Sequence, residues 1–198
     1  LILGGSQGAK IINDVVIQAM PELVEKYQII HQVGKKNLKE IQNLTKVLMG
    51  GKEHEKRYKI FEYLDSQALR MSAGVSDMVI SRAGSTIFEI AAWGLPSIII
   101  PITQSNGNHQ IKNAYSYARA GACNVIEEKN LTPHLLVSEI DRLMENKTKI
   151  DEMKRAAKNF SKGNPVGPKF IIALFKSYIA PTSGFLFFNN LKVFSKIS

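Results

Sequence analysis

The sequence predicts an α/β domain in which helices flank a parallel β-sheet. Three observations lead there. Short apolar runs of strand length alternate along the chain with segments of helical spacing, the sequence form of a βαβ series. Several strand-to-helix junctions are polar and contain glycine. The 198 residues are 44% hydrophobic and 22% charged, enough for one globular domain with a tail.

Strands are expected over Leu1–Leu3, Gln28–Val33, Ile60–Leu64, Met78–Ser81, Ser97–Pro101 and Asn124–Ile126. Helices are expected between them. Ile11, Ile12, Val15, Val16 and Ala19 share a helical face after the first loop, and Leu38, Ile41 and Leu44 mark a second helix. Ile87, Ile90 and Ala91 mark a third, ended by Gly94 and Pro96. Leu135, Leu136, Ile140, Leu143 and Met144 mark another. Residues 50–58 read as a polar loop.

After Pro165, the residues Phe170, Ile171, Leu174, Phe175 and Tyr178 share one face, so an amphipathic helix is expected to close the domain. It is too short, and too interrupted by Lys176 and Pro181, to cross a bilayer. The expected organisation is a domain over 1–164, a closing helix over 165–179 and an unassigned basic, aromatic tail over 180–198. The chain opens on the end of a strand running straight into a loop, "LILGGSQG", which reads as a fragment whose upstream part is missing.

The net charge of +9 is uneven. From Lys154 onward there are eight basic residues and no acidic one, which leaves the first 153 residues with 18 basic against 17 acidic side chains. A nearly neutral body argues against nucleic acid as a partner. A basic tail points to an anionic surface. The single cysteine, Cys123, has no partner for an internal disulfide, fits a reducing compartment and is expected to be a small buried residue.

Three loops carry the chemistry. Gly4, Gly5, Ser6, Gln7 and Gly8 lie between a strand and a helix, where glycines permit a sharp turn and the helix start favours an anion. A phosphate site and a plain tight turn remain equally open there. The pattern is neither the dinucleotide fingerprint nor the P-loop, so neither NAD nor ATP is implied. In "SRAGSTIFEIAAWGLP" (81–96), Gly84 opens a loop, Ser85 or Thr86 is placed to cap the next helix, and Glu89 follows one turn in. Glu89 either accepts from ribose hydroxyls or offsets the positive helix end. Arg82 pairs with either a phosphate or a protein carboxylate. In the third loop, His109, Gln110 and Asn113 begin a helix, and amide side chains suit sugar hydroxyls. No metal-ligand spacing and no Ser-His-Asp arrangement is present. All three loops follow strands, and in an open parallel sheet ligands bind along that edge.

"GGSQGA" (4–9), "IIHQVGKKNL" (29–38), "FEYLDSQ" (61–67), "SRAG" with "TIFEIAAWGLPSIIIP" (81–101) and "HQIKNA" (109–114) together resemble the MurG-type transferases of cell-wall synthesis. The likeness runs from residue 1 to about residue 178. It implies a Rossmann-like domain, the C-terminal half of a two-domain GT-B glycosyltransferase. The implied donor is UDP-N-acetylglucosamine. The implied reaction is an inverting transfer to undecaprenyl-diphospho-muramyl-pentapeptide, lipid I to lipid II, in peptidoglycan synthesis.

The resemblance places Ser6 near the donor phosphates and the Leu64 backbone at the uracil. It places Ser85, Thr86, Ile87, Phe88 and Glu89 along the diphosphate and ribose, with Glu89 as the ribose carboxylate. Gln110 is placed at the sugar hydroxyls, with His109 beside it. It implies no metal and no cofactor, a general base and acceptor groove in a missing N-terminal domain, and a peripheral position on the cytoplasmic face of the plasma membrane. "RAGST" is one residue shorter than the RAGxxT of the resemblance, which is expected to shift the anion loop. The alternatives are a non-catalytic subunit of a split transferase, or another GT-B enzyme using a UDP-sugar.

Overall fold

The computed structural model describes residues 1–4, 9–49, 56–102 and 108–163. Six strands form one parallel sheet: β1 (Ile2–Leu3), β2 (Ile29–Gln32), β3 (Tyr58–Phe61), β4 (Val79–Ser81), β5 (Ser97–Ile99) and β6 (Cys123–Val125). Their spatial order is β3-β2-β1-β4-β5-β6. Leu3 pairs with Gln32 on one side and Ser81 on the other, Gln32 with Phe61, Ser81 with Ile99, and Ile99 with Val125. All six strands therefore finish on one edge.

Side chains alternate across the sheet, and both faces are covered. Ile2, Ile29, Ile80 and Ile98 face the helices α1 (Lys10–Lys26), α2 (Leu38–Met49) and α6 (Pro133–Met144). Leu3, Ile30, Val79 and Ile99 face α3 (Ser66–Gly74), α4 (Thr86–Trp93), α5 (His109–Arg119) and α7 (Lys147–Gly163). In α1, Ile12, Val15, Val16, Ala19, Met20 and Leu23 make the buried stripe, while Ile11 is exposed. In α2 the buried residues are Ile41, Thr45 and Met49, so Leu44 falls off the expected face. Cys123 is buried as expected, and burial pushes its thiol up to about 12, which keeps it unreactive.

The predicted strands are all present, five of them displaced by only one or two residues at an end. The exception is β3, expected over Ile60–Leu64 but found over Tyr58–Phe61. Tyr58, expected in a loop, is buried because its hydroxyl bonds His31 at 2.8 Å. The segment after Glu62 leaves the ladder, and Leu64 turns its N–H to a side chain of β2. Residues 50–55 of the predicted loop, the closing helix at 165–179 and the tail at 180–198 lie outside the described residues.

Among the elements of the described residues, two helices went unpredicted. Asp65 starts α3 by accepting from the N–H groups of Gln67 and Ala68 at 3.0 and 2.8 Å. The other, α7, packs on α4, with Phe160 against Phe88, and buries Met153, Ala157 and Ser161. Among the described residues no helix is long and apolar enough to cross a membrane.

Gly94 ends α4 at φ 71°, ψ 35°, in the left-handed region. A Cβ there would stand 2.6 Å from Cε of Lys158. Gly94→Ala is expected to lower stability by about 1–2 kcal/mol, mostly through the backbone. Urea unfolding with an unchanged midpoint would contradict this.

Candidate functional site

The chain reverses direction of travel across the sheet between β1 and β4, which is the switch point of the topology. Both strands end at the carboxyl edge of the sheet, where ligands bind in open parallel sheets. Gly4 opens the first. Its N–H donates to the Gln32 carbonyl at 3.1 Å, and a Cβ at this position would lie 3.0 Å from that oxygen and 3.1 Å from the Ala9 nitrogen. Both neighbours are backbone, so a side chain here would force the main chain to shift by a few tenths of an ångström. Gly5, Ser6 and Gly8, expected to complete the phosphate turn, lie outside the described residues.

The second loop runs from Arg82 to Ser85. Gly84 faces open space, with nothing within 4 Å of an added Cβ. Ser85 occupies the N-cap position of α4 but makes no side-chain cap hydrogen bond, contrary to the capping expected of Ser85 or Thr86. Its helical backbone (φ −58°, ψ −24°) is not the extended conformation from which a cap side chain reaches back. Thr86 is half-buried at the helix start, and Ile87 is buried in the core. The Phe88 ring stacks on Phe160 of α7 at a centroid distance of 6.4 Å. Only the main chain of Ile87 is thus left for a ligand.

Glu89 is half-buried and has no hydrogen-bond or ion-pair partner among the described residues. Burial raises its pKa above the ordinary glutamate value. A carboxylate desolvated without a partner suits an incoming group that donates hydrogen bonds.

Arg82 is resolved in favour of protein. Its guanidinium pairs with the Glu128 carboxylate and donates to the Ile100 carbonyl at 3.2 Å, so it braces the ends of β4, β5 and the segment after β6. In the third loop His109 is exposed at the start of α5. The Gln110 Oε1 accepts from the Ile102 N–H at 3.1 Å, which commits the oxygen of its amide to the backbone. Asn113 Nδ2 donates to the Ala83 carbonyl at 3.1 Å and ties α5 to the second loop. At β3, the Leu64 side chain is buried and its N–H donates to Gln32 Oε1 at 2.9 Å.

Sequence reasoning missed Gln32, His31 and Asn13. Asn13 Nδ2 donates to the Val33 carbonyl at 2.9 Å, so its Oδ1 faces His31 Nε2 at 3.1 Å. His31 therefore carries its proton on Nε2 and accepts from Tyr58 at Nδ1. The available signal was "IIHQV", two polar residues inside an apolar strand. Among the described residues no group of three His, Cys, Asp or Glu could hold a metal ion. A cavity of about 740 Å³ opens at the opposite, amino-terminal edge of the sheet, among Tyr27, Ile29, Met71, Met78 and Met144. It is mostly apolar and contains none of the residues expected at the site.

Residues 1–164 match the glycosyltransferase family 28 C-terminal domain. The chain is 39% identical over 166 residues to the UDP-N-acetylglucosamine--N-acetylmuramyl-(pentapeptide) pyrophosphoryl-undecaprenol N-acetylglucosamine transferase of Halothermothrix orenii, covering 82% of this chain and 44% of that protein. It thus spans less than half the length of such relatives. The crystal structure of Acinetobacter baumannii MurG superposes with a TM-score of 0.67 at 25% identity, covering 89% of this chain and 48% of the other. The UDP co-structure of S. aureus MnaA shares the fold, with a TM-score of 0.59 at 15% identity over 88% of this chain and 42% of the other.

Proposed function

Because the chain belongs to the glycosyltransferase family 28 C-terminal domain family, we propose that it binds UDP-N-acetylglucosamine as the donor half of a transferase that converts lipid I to lipid II. The observation that carries this reading is the pairing of a tightly confined glycine, Gly4, at one side of the switch point with a half-buried Glu89, unpartnered among the described residues, on the helix at the other. The diphosphate lies across the starts of α1 and α4, where N–H groups and helix dipoles oppose its charge. Charge builds on that diphosphate as UDP leaves, and fixed donors aimed at it lower the barrier without a metal. Glu89 accepts from the ribose hydroxyls, the segment at Leu64 meets the base, and Gln110 with His109 meets the sugar.

The acceptor hydroxyl of the lipid-linked muramyl peptide attacks the anomeric carbon from the opposite face, which inverts it. The acceptor groove and general base belong to the part of the relatives' length that this chain does not span. The chain alone therefore binds donor without turnover. Its basic tail, outside the described residues, holds the enzyme to the anionic cytoplasmic face of the membrane by charge and burial together.

Calorimetric titration with UDP-N-acetylglucosamine tests the reading. Hydrogen bonds to a charged group contribute about 1.5–3 kcal/mol, so Glu89→Ala is expected to weaken binding by roughly ten- to 150-fold. Unchanged affinity in that variant removes Glu89 from the site. A panel of UDP-sugars in the same titration identifies the donor.

A further inference from the structure

We propose that Gln32 is a positioning residue for base recognition, holding the segment at Leu64 in register with the turn at Gly4. The proposal rests on the donor-binding reading above. Gln32 ends β2 and is 5% exposed. Its carbonyl accepts from the Gly4 N–H at 3.1 Å, and its side-chain oxygen accepts from the Leu64 N–H at 2.9 Å. One residue thus holds both the place assigned to the phosphates and the place assigned to the base.

The segment from Phe61 to Asp65 is secured at its two ends by other means. Val33 N–H donates to the Phe61 carbonyl at 2.9 Å, and Gly34 N–H to the Glu62 carbonyl at 3.1 Å. Asp65 caps α3. Between these anchors the Leu64 side chain packs in the core, and its N–H is held by the Gln32 side chain. On the other face of β2, His31 is bonded to both Tyr58 and Asn13, which stops the strand end from rotating to release it. An apolar residue of similar volume would fill the space and leave a buried Leu64 N–H without an acceptor, which is costly.

The test compares wild type, Gln32→Met, Gln32→Asn and Gln32→Glu. Affinities for UDP, CDP and inorganic diphosphate are measured together with hydrogen exchange of the Leu64 amide. Methionine withdraws the acceptor at nearly constant volume, and asparagine withdraws it by one methylene while staying polar. Both are expected to speed exchange at Leu64 and to reduce the UDP-to-CDP affinity ratio about three- to tenfold, with diphosphate affinity unchanged. Glutamate keeps an oxygen in place. Its added charge repels the diphosphates of UDP and CDP alike, so the ratio and the protection of Leu64 are expected to persist.

Unchanged exchange at Leu64 in both acceptor-less variants overturns the proposal. So does a UDP-to-CDP ratio equal to that of a discriminating wild type. A wild-type chain that binds UDP and CDP equally, or neither, instead overturns the donor reading itself, while exchange at Leu64 still reports whether Gln32 holds the segment.

Discussion

Acidification below about pH 6.5 will destabilise this fold by up to about 1.4 kcal/mol per pH unit through one side chain, His31. Burial lowers its pKa from 6.5 to about 3. Between those values the unfolded chain binds a proton at His31 and the folded chain does not. The stabilising contribution is therefore fully present above 6.5 and is lost as pH falls toward 3. The geometry explains the resistance to protonation. Nε2 already donates to Asn13 Oδ1, and Nδ1 accepts from the Tyr58 hydroxyl, so a second ring proton would displace a hydrogen bond inside the core. Urea unfolding of wild type and His31→Gln at several pH values isolates the effect. The variant is expected to start less stable at neutral pH and to lose stability more slowly on acidification. Parallel stability curves for the two proteins between about pH 6.5 and 4.5 would show that His31 is not the group responsible.

Glu128→Ala is expected to cost about 3 kcal/mol of stability. The side chains of Arg82 and Glu128 retain only 13% and 16% of their exposure. Removing the carboxylate leaves a guanidinium largely desolvated and unpaired, a loss of about 3–5 kcal/mol for fully buried pairs. The residual exposure puts this pair at the lower end. Replacing both partners, Arg82→Met with Glu128→Leu, removes the stranded charge and is expected to recover most of the loss. Equal stability of the single and double variants in urea unfolding would place the cost in packing rather than in charge. Because Arg82 sits between β4 and α4, the single variant is also expected to weaken donor binding, whereas Gly94→Ala acts on stability alone.

What the sequence determined by itself is whatever repeats locally. The stripe of α1 repeats at helical spacing, so its face was legible from Ile12 to Ala19, though Ile11, read onto it, is exposed. The runs that became β4 and β5 are mostly apolar because both faces of the sheet are covered. Gly4 was legible as a turn because a glycine at a strand-to-helix joint is there for want of a Cβ. The placement of three polar loops on one edge followed from the parallel topology that the alternation implied. The charge-rich α7 escaped notice because its charged residues outnumber its apolar ones, and its burial depends on α4 arriving beside it.

Only the tertiary structure decided the pairings. Arg82 had two chemically equal partners in prospect, and Glu128 became the answer because β6 lies next to β5. Leu64 left the strand because Gln32, 32 residues earlier, offered its N–H an acceptor. His31 stays neutral because tertiary packing buries it, and Asn13 and Tyr58 converge on its ring from two other elements. Such contacts join residues far apart in the chain, where no local period records them.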